Sequence, residues 1–271
     1  MLRDLLSLCL ATMPPARPDG LFAYWSLAPE TLVPLGVFAA LYVRGRRRLA
    51  ASGRGAVADV RLFAAGWLLL AAALVSPLCR LAATLVSAHM LQLMLIVIPA
   101  AFLLARGGAV EAVRAAFGTL GSAQPWLSRP GPAAAGHGLA IWIAHAPPVY
   151  AAALTGTGAH LAVLAMLVAT GIWFWHAVGI ADVQGRGRAL GAILVTMMHT
   201  GILGAVLTFA PRPFYPVQGP GAALWGLGTL EDQQLAGLLM WVPGSTLYLA
   251  IAVVVGVRWL QSAAERDAAR G

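Results

Sequence analysis

Apolar segments of roughly 20 residues recur along this chain, the length an α-helix needs to cross the hydrocarbon core of a bilayer. Seven spans can be placed, at about 30–43, 60–75, 81–104, 138–154, 159–180, 190–209 and 235–260, the first reaching back as far as Leu21. Of 271 residues only 10% are charged and 60% are hydrophobic, against ~25% charged in a soluble domain. The expected fold class is therefore an all-α polytopic membrane protein, one bundle of seven transmembrane helices. Residues 1–20 read as a short extramembrane segment, 21–260 as the membrane domain and 261–271 as a tail. The first 20 residues make a poor signal peptide, because the apolar patch is short and broken by Asp4. Pro147-Pro148 falls inside the fourth span, where it frees backbone carbonyls and predicts a kink or break.

The distribution of arginine predicts the orientation. The net charge is +8, and in a membrane protein this marks cytoplasmic loops rather than a nucleic-acid surface. Arg44, Arg46, Arg47, Arg48, Arg54 and Arg61 lie between spans one and two, and Arg106, Arg114 and Arg129 between three and four. Arg186 and Arg188 lie between five and six, and Arg258, Arg266 and Arg270 follow span seven. Only Arg3, Arg17, Arg80 and Arg212 fall on the other side. The N-terminus is thus expected outside and the C-terminus in the cytoplasm of a bacterial inner membrane. The long loop 107–136 is expected to carry one short amphipathic helix near 110–117. Cys9 and Cys79 form no CxxC pair, and a disulfide between them is open if both face the oxidising side.

Ionisable side chains inside spans are costly, so each is a functional candidate. His89, His145, His160 and His199 come from four different spans, and at ~1.5 Å per residue they share the outer half or middle of the membrane. Met90 and Met94 stand one helical turn apart on one face. Imidazole with thioether suits Cu(I), because soft ligands select a soft ion. Packing accounts for a single Met, and interhelical hydrogen bonding for a single His, equally well. His137 reads as an ordinary edge residue and His176 as part of an aromatic belt with Trp173 and Trp175. At the outer mouth of span seven, Glu231, Asp232 and Gln233 form a polar set with Arg212 and the shallow Met240. Helix capping and attraction of a cation are both open for the two carboxylates. No nucleophile with a base and no phosphate loop is present, and no enzyme activity is expected.

The string from Leu203 to Pro216, LGAVLTFAPRPFYP, followed by GTLEDQQLAGLLMWVPG at 228–244, resembles the closing signature of the polytopic cytochrome c oxidase assembly factors, the CtaG family. SAHMLQLMLIVIP at 87–99 and WIAHAPPVYAAAL at 142–154 are similar to its third- and fourth-span motifs. This is the seven-span family, not the single-span copper chaperone of the same name. The resemblance implies a role in maturing haem-copper oxidases, with copper supplied on the outer face, oxidase subunits as partners and a soluble copper chaperone as a further one. It carries over to His89, Met90, Gln92, His145, Pro147, His160, Glu231, Asp232, Gln233, Gln234 and Met240. Leu93 and Leu164 stand where the family pattern often has a second histidine.

Three readings follow. The first is a non-enzymatic assembly factor that holds Cu(I) among His89, His145, His199, Met90 and Met94. The second is a membrane cytochrome with haem b between two histidines. The third is a copper transporter, against which stands the lack of inverted repeats.

Overall fold

A computed structural model of the chain describes residues 5–55, 59–119, 125–181 and 185–268, with side chains as far as 262. Arg3, Asp4 and Arg270, and the side chain of Arg266, lie outside the described residues. Within these limits the regular structure is all helical. Helix α1 is Pro29–Ala51, α2 Val60–Val75, α3 Pro77–Thr84, α4 Val86–Arg106 and α5 the short Ala109–Ala116. There follow α6 at Pro130–His145, α7 at Pro147–Thr155, α8 at Thr157–Gly179, α9 at Arg186–Thr208, α10 at Gly219–Leu224 and α11 at Thr229–Ser262.

Four of these, α4, α8, α9 and α11, are each long and apolar enough to cross a membrane. Two further crossings arise if the bent pairs α2–α3 and α6–α7 each count as one span, giving a multi-pass membrane protein with four to six candidate spans. Both bends are written by proline. Pro77 and Pro147 start α3 and α7, and the residues before them, Ser76 and Ala146, are held extended. The axes turn by 52° at Ser76 and by 73° at Ala146. Helix α1 has the length of a span but not the apolarity, because its last turns carry Arg44, Arg46, Arg47 and Arg48.

The third span begins later than its hydropathy predicts. Residues 81–84 belong to α3, Leu85 is extended, and α4 starts at Val86. The cause lies 146 residues away. The carboxylate of Asp232, at the start of α11, accepts the amides of Val86 at 2.6 Å and Ser87 at 3.1 Å and the Ser87 hydroxyl at 2.5 Å. Free amides at a helix start need acceptors, and a side chain from another helix supplies them here. Glu231 caps its own helix by accepting the Gly228 amide at 2.7 Å.

Helices α9 and α11 cross at two glycines. A Cβ on Gly237 would stand 2.5 Å from the Gly204 carbonyl oxygen, so only glycine permits this approach. The amphipathic α5 binds α1: Tyr42 donates to the Gly107 carbonyl at 2.9 Å, and Arg48 donates to the last carbonyls of α5, Ala115 and Ala116. It also touches α8, where His176 Nδ1 is 3.5 Å from Glu111. His176 is thus buried and turned toward the loop helix.

The N-terminal segment ties α3 to α7. Cys9 is disulfide-bonded to Cys79, the Ala11 amide donates to the Leu154 carbonyl at 2.8 Å, and the Ala16 amide to Thr84 Oγ1 at 2.8 Å. Trp225, just after α10, donates to the Ala16 carbonyl. Replacing Asp232 by Ala leaves buried amides and a hydroxyl without acceptors, and on the order of 3 kcal/mol of stability is expected to go with them. Thermal unfolding of the detergent-solubilised protein checks this, with Asp232→Asn intermediate because one acceptor oxygen survives.

Candidate functional site

Five of the helices meet around a small cavity of about 40 Å³, lined by Met90 and Met94 of α4, His145 and Ile141 of α6, Leu167 of α8, Thr200 of α9, and Met240 and Tyr248 of α11. A volume of that order holds one ion or a couple of water molecules. The reason it exists is local. Helix α4 widens into a π-turn at Ile96–Ala100 and α11 into another at Met240–Gly244, each with a proline inside, Pro99 and Pro243. Such turns insert an extra residue into the helix and recur at functional sites. Here they flank the cavity, which Val97, Ile98 and Gly244 also line.

The chemistry of the cavity centres on His145. Its Nδ1 lies 2.7 Å from the Ile141 carbonyl oxygen, which can only accept, so Nδ1 carries the proton. Its Nε2 therefore presents a lone pair, and it points at Met90 Sδ, 3.1 Å away. Met90 is wholly buried, and the phenol oxygen of Tyr248 is buried without a hydrogen-bond partner. One imidazole and three thioethers thus line a largely apolar space, the donor types that favour Cu(I) over hard cations. The backbone holding His145 is fixed from outside. Tyr215 donates to the His145 carbonyl at 2.8 Å, and burial pushes its phenol above the usual range, keeping it a donor. Tyr215 stacks on Tyr150, which donates to Gln218 at 2.7 Å, and Gln218 donates to the Ala82 carbonyl at 2.6 Å.

The remaining histidines divide into two groups. His89 packs edge-on against Tyr150, ring centroids 5.0 Å apart, and lies within electrostatic reach of both His145 and His160. His160 sits in the first turn of α8 with Nδ1 3.2 Å from the Ala153 carbonyl oxygen. His89 thus neighbours each of the other two, yet among the described residues no three or more His, Cys, Asp or Glu side chains converge to hold a metal ion. His199 is elsewhere. It lies at a groove between α6 and α9, near His137, with both ring nitrogens buried and without a hydrogen-bond partner among the described residues. The four histidines expected to converge are thus three plus one.

The family model for cytochrome c oxidase caa3 assembly factors matches residues 40–262. The chain belongs to this family. No curated protein and no solved structure matches it. In this assembly factor the signature LEDQQ is built into the scaffold. Asp232 caps α4, and Gln233 accepts the Phe214 amide at 2.5 Å while donating to the Leu207 carbonyl. Arg212 is exposed and pairs with neither carboxylate. Two members of the cavity escaped the sequence reading. Met240 was placed with the mouth residues, but it opens the π-turn of α11 and lines the cavity. Tyr248 follows Met240 by eight residues, two turns further along the same helix, and that spacing alone marks a shared face.

Tyr215→Phe removes a buried hydrogen bond at the α6–α7 break and is expected to cost about 1 kcal/mol of stability. Differential scanning fluorimetry of the purified protein against the parent checks it.

Proposed function

We propose that this assembly factor holds Cu(I) transiently in the Met90–Met94–Met240–His145 cavity and passes it to a haem-copper oxidase. The observation that carries the reading is the His145 Nε2 lone pair facing Met90 Sδ at 3.1 Å inside a cavity closed by two more thioethers. A soft cation between these donors replaces a contact of two lone pairs by two coordinate bonds. The fixed Nδ1–H to the Ile141 carbonyl is the outer interaction that orients a metal-binding imidazole. The chain needs no catalytic group for this task, and its role is non-enzymatic. A cavity of about 40 Å³ does not accommodate a tetrapyrrole, which disfavours haem b there.

The reading includes a topology. With α1 as the seventh crossing, the Arg-rich ends of α1, α9 and α11 lie in the cytoplasm of a bacterial inner membrane. The Cys9–Cys79 disulfide needs an oxidising compartment, which supports placing the N-terminal segment and α3 outside. His160 and His89 then lie between the outer surface and His145, on the side from which a soluble copper chaperone delivers. Handing over a monovalent ion between neutral donors moves no proton and no electron.

The purified protein, titrated with Cu(I) against a chromophoric Cu(I) chelator, is expected to bind one ion. Met90→Leu conserves volume and is expected to weaken binding at least tenfold, and His145→Ala more. In cells, loss of the gene is expected to leave the oxidase with haem but without copper. Normal copper in that oxidase overturns the proposal.

A further inference from the structure

One helical turn before Ile141 and Thr200, which line the Met–His cavity, stand His137 and Thr196. His137 Nε2, Thr196 Oγ1 and the hydroxyl of Tyr248 are buried and have no hydrogen-bond partner among the described residues. His137 and Thr196 are 0% exposed and Tyr248 2%. A polar atom enclosed in an apolar interior is costly unless something bonds it. His137, expected at the edge of its span, is instead completely enclosed.

The three share a level in the bundle. Helices α9 and α11 run in opposite directions: a Cβ on Gly187 would stand 3.3 Å from Trp259, and one on Gly201 3.4 Å from Ser245 Oγ. Thr196 lies between Gly187 and Gly201, and Tyr248 between Ser245 and Trp259, so this register sets Thr196 opposite the turn that carries Tyr248. Against α6, a Cβ on Gly138 would stand 2.8 Å from His199 Nε2, which brings His137 level with the turn 196–199. His137 and Tyr248 also pack on one ring, that of Phe174, at centroid distances of 5.6 and 6.5 Å.

Their hydrogen-bonding characters are complementary. Thr170 Oγ1 gives its one proton to the Met166 carbonyl at 2.8 Å, so it accepts from His137 Nδ1 at 3.1 Å, and Nδ1 carries the imidazole proton. Nε2 is left with a lone pair. Thr196 and Tyr248 each bring a hydroxyl proton. Two donors and one acceptor match a water molecule, which accepts two hydrogen bonds and gives one. A metal ion would find a single nitrogen and two protonated oxygens, a poor set for a soft cation.

We infer that His137, Thr196 and Tyr248 bind water inside the bundle, at the floor of the Met–His cavity. Tyr248 lines that cavity, whose volume of about 40 Å³ has room for water beside an ion. With its proton given to the water, Tyr248 turns an oxygen lone pair toward the thioethers and serves as a further neutral donor to the cation. His137 does not line the cavity and acts through the water, as a positioning residue. The water site stands without copper, whereas the donor role of Tyr248 rests on the copper reading.

The test uses the full chain in detergent. Tyr248→Phe and Thr196→Val each delete one hydroxyl with little change of shape. Deleting an unbonded buried hydroxyl is neutral or stabilising, whereas deleting a bonded one leaves its partner short and destabilises. Without copper, both variants are expected to lower the melting temperature, and the double variant to lower it by less than the sum of the two. An unchanged or raised melting temperature in either single variant overturns the water site. In the Cu(I) titration, Tyr248→Phe and His137→Leu are expected to weaken binding about threefold, the worth of roughly one hydrogen bond. His137→Gln, whose amide oxygen restores an acceptor, is expected to bind as the parent does. Unchanged affinity in Tyr248→Phe, or no rescue by His137→Gln, overturns the role at the cavity. A parent chain that binds no Cu(I) overturns the copper reading instead and leaves the melting result as it stands.

Discussion

The buried carboxylate of Asp232 is the contact on which the rest of the structure depends. It sits in the first turn of α11 and closes the first turn of α4, helices far apart in sequence. In a medium without water, open amides at the start of a helix have no other acceptor. That one side chain therefore fixes where α4 begins and how α4 and α11 lie against each other. Met90 and Met94 come from one of these helices and Met240 from the other. Their meeting at a single cavity follows from the register that Asp232 imposes.

The lower half of the same pair is set by different means. Both α4 and α11 pass through a proline-bearing π-turn at the same level. The extra residue in each turn pushes the backbone apart locally, while Gly204 and Gly237 draw α9 onto α11 nearby. Tight packing on one side and widening on the other leave a gap small enough to exclude a cofactor and large enough for an ion. His145 enters that gap at the last residue of α6, where the Pro147 break ends the helix and Tyr215 takes up its carbonyl.

Sequence periodicity alone located most of the spans, because membrane crossing demands length and apolarity and little else. The bends at Ser76 and Ala146 were half legible: the double proline at 147–148 announces a break, whereas the single Pro77 lies between apolar runs that look like separate spans. The start of α4 at Val86 was not legible, since its cause is an acceptor 146 residues away. The pairing of Asp232 with α4 rather than with its own helix has the same explanation. Among the cavity residues, the shared face of Met90 and Met94 could be read from their spacing, and the place of Met240 could not, because hydropathy gives depth and not the side of the helix that a side chain faces; His89 lies outside the cavity, against Tyr150. His199 shows the limit most plainly. Its ring lies against Gly138, two turns from His145 along α6, while Thr200 beside it takes the face toward the cavity.

The two leucines that depart from the family pattern have unequal meanings in this fold. Leu164 lines the broad apolar cleft between α1, α2 and α8, away from the thioethers, and a histidine there would not reach them. Leu93 lines the Met–His cavity itself. A second imidazole at that position would add a harder, titratable donor to the set. With leucine in its place the cavity is lined by three thioethers and one imidazole, whose Nδ1 is held by the Ile141 carbonyl.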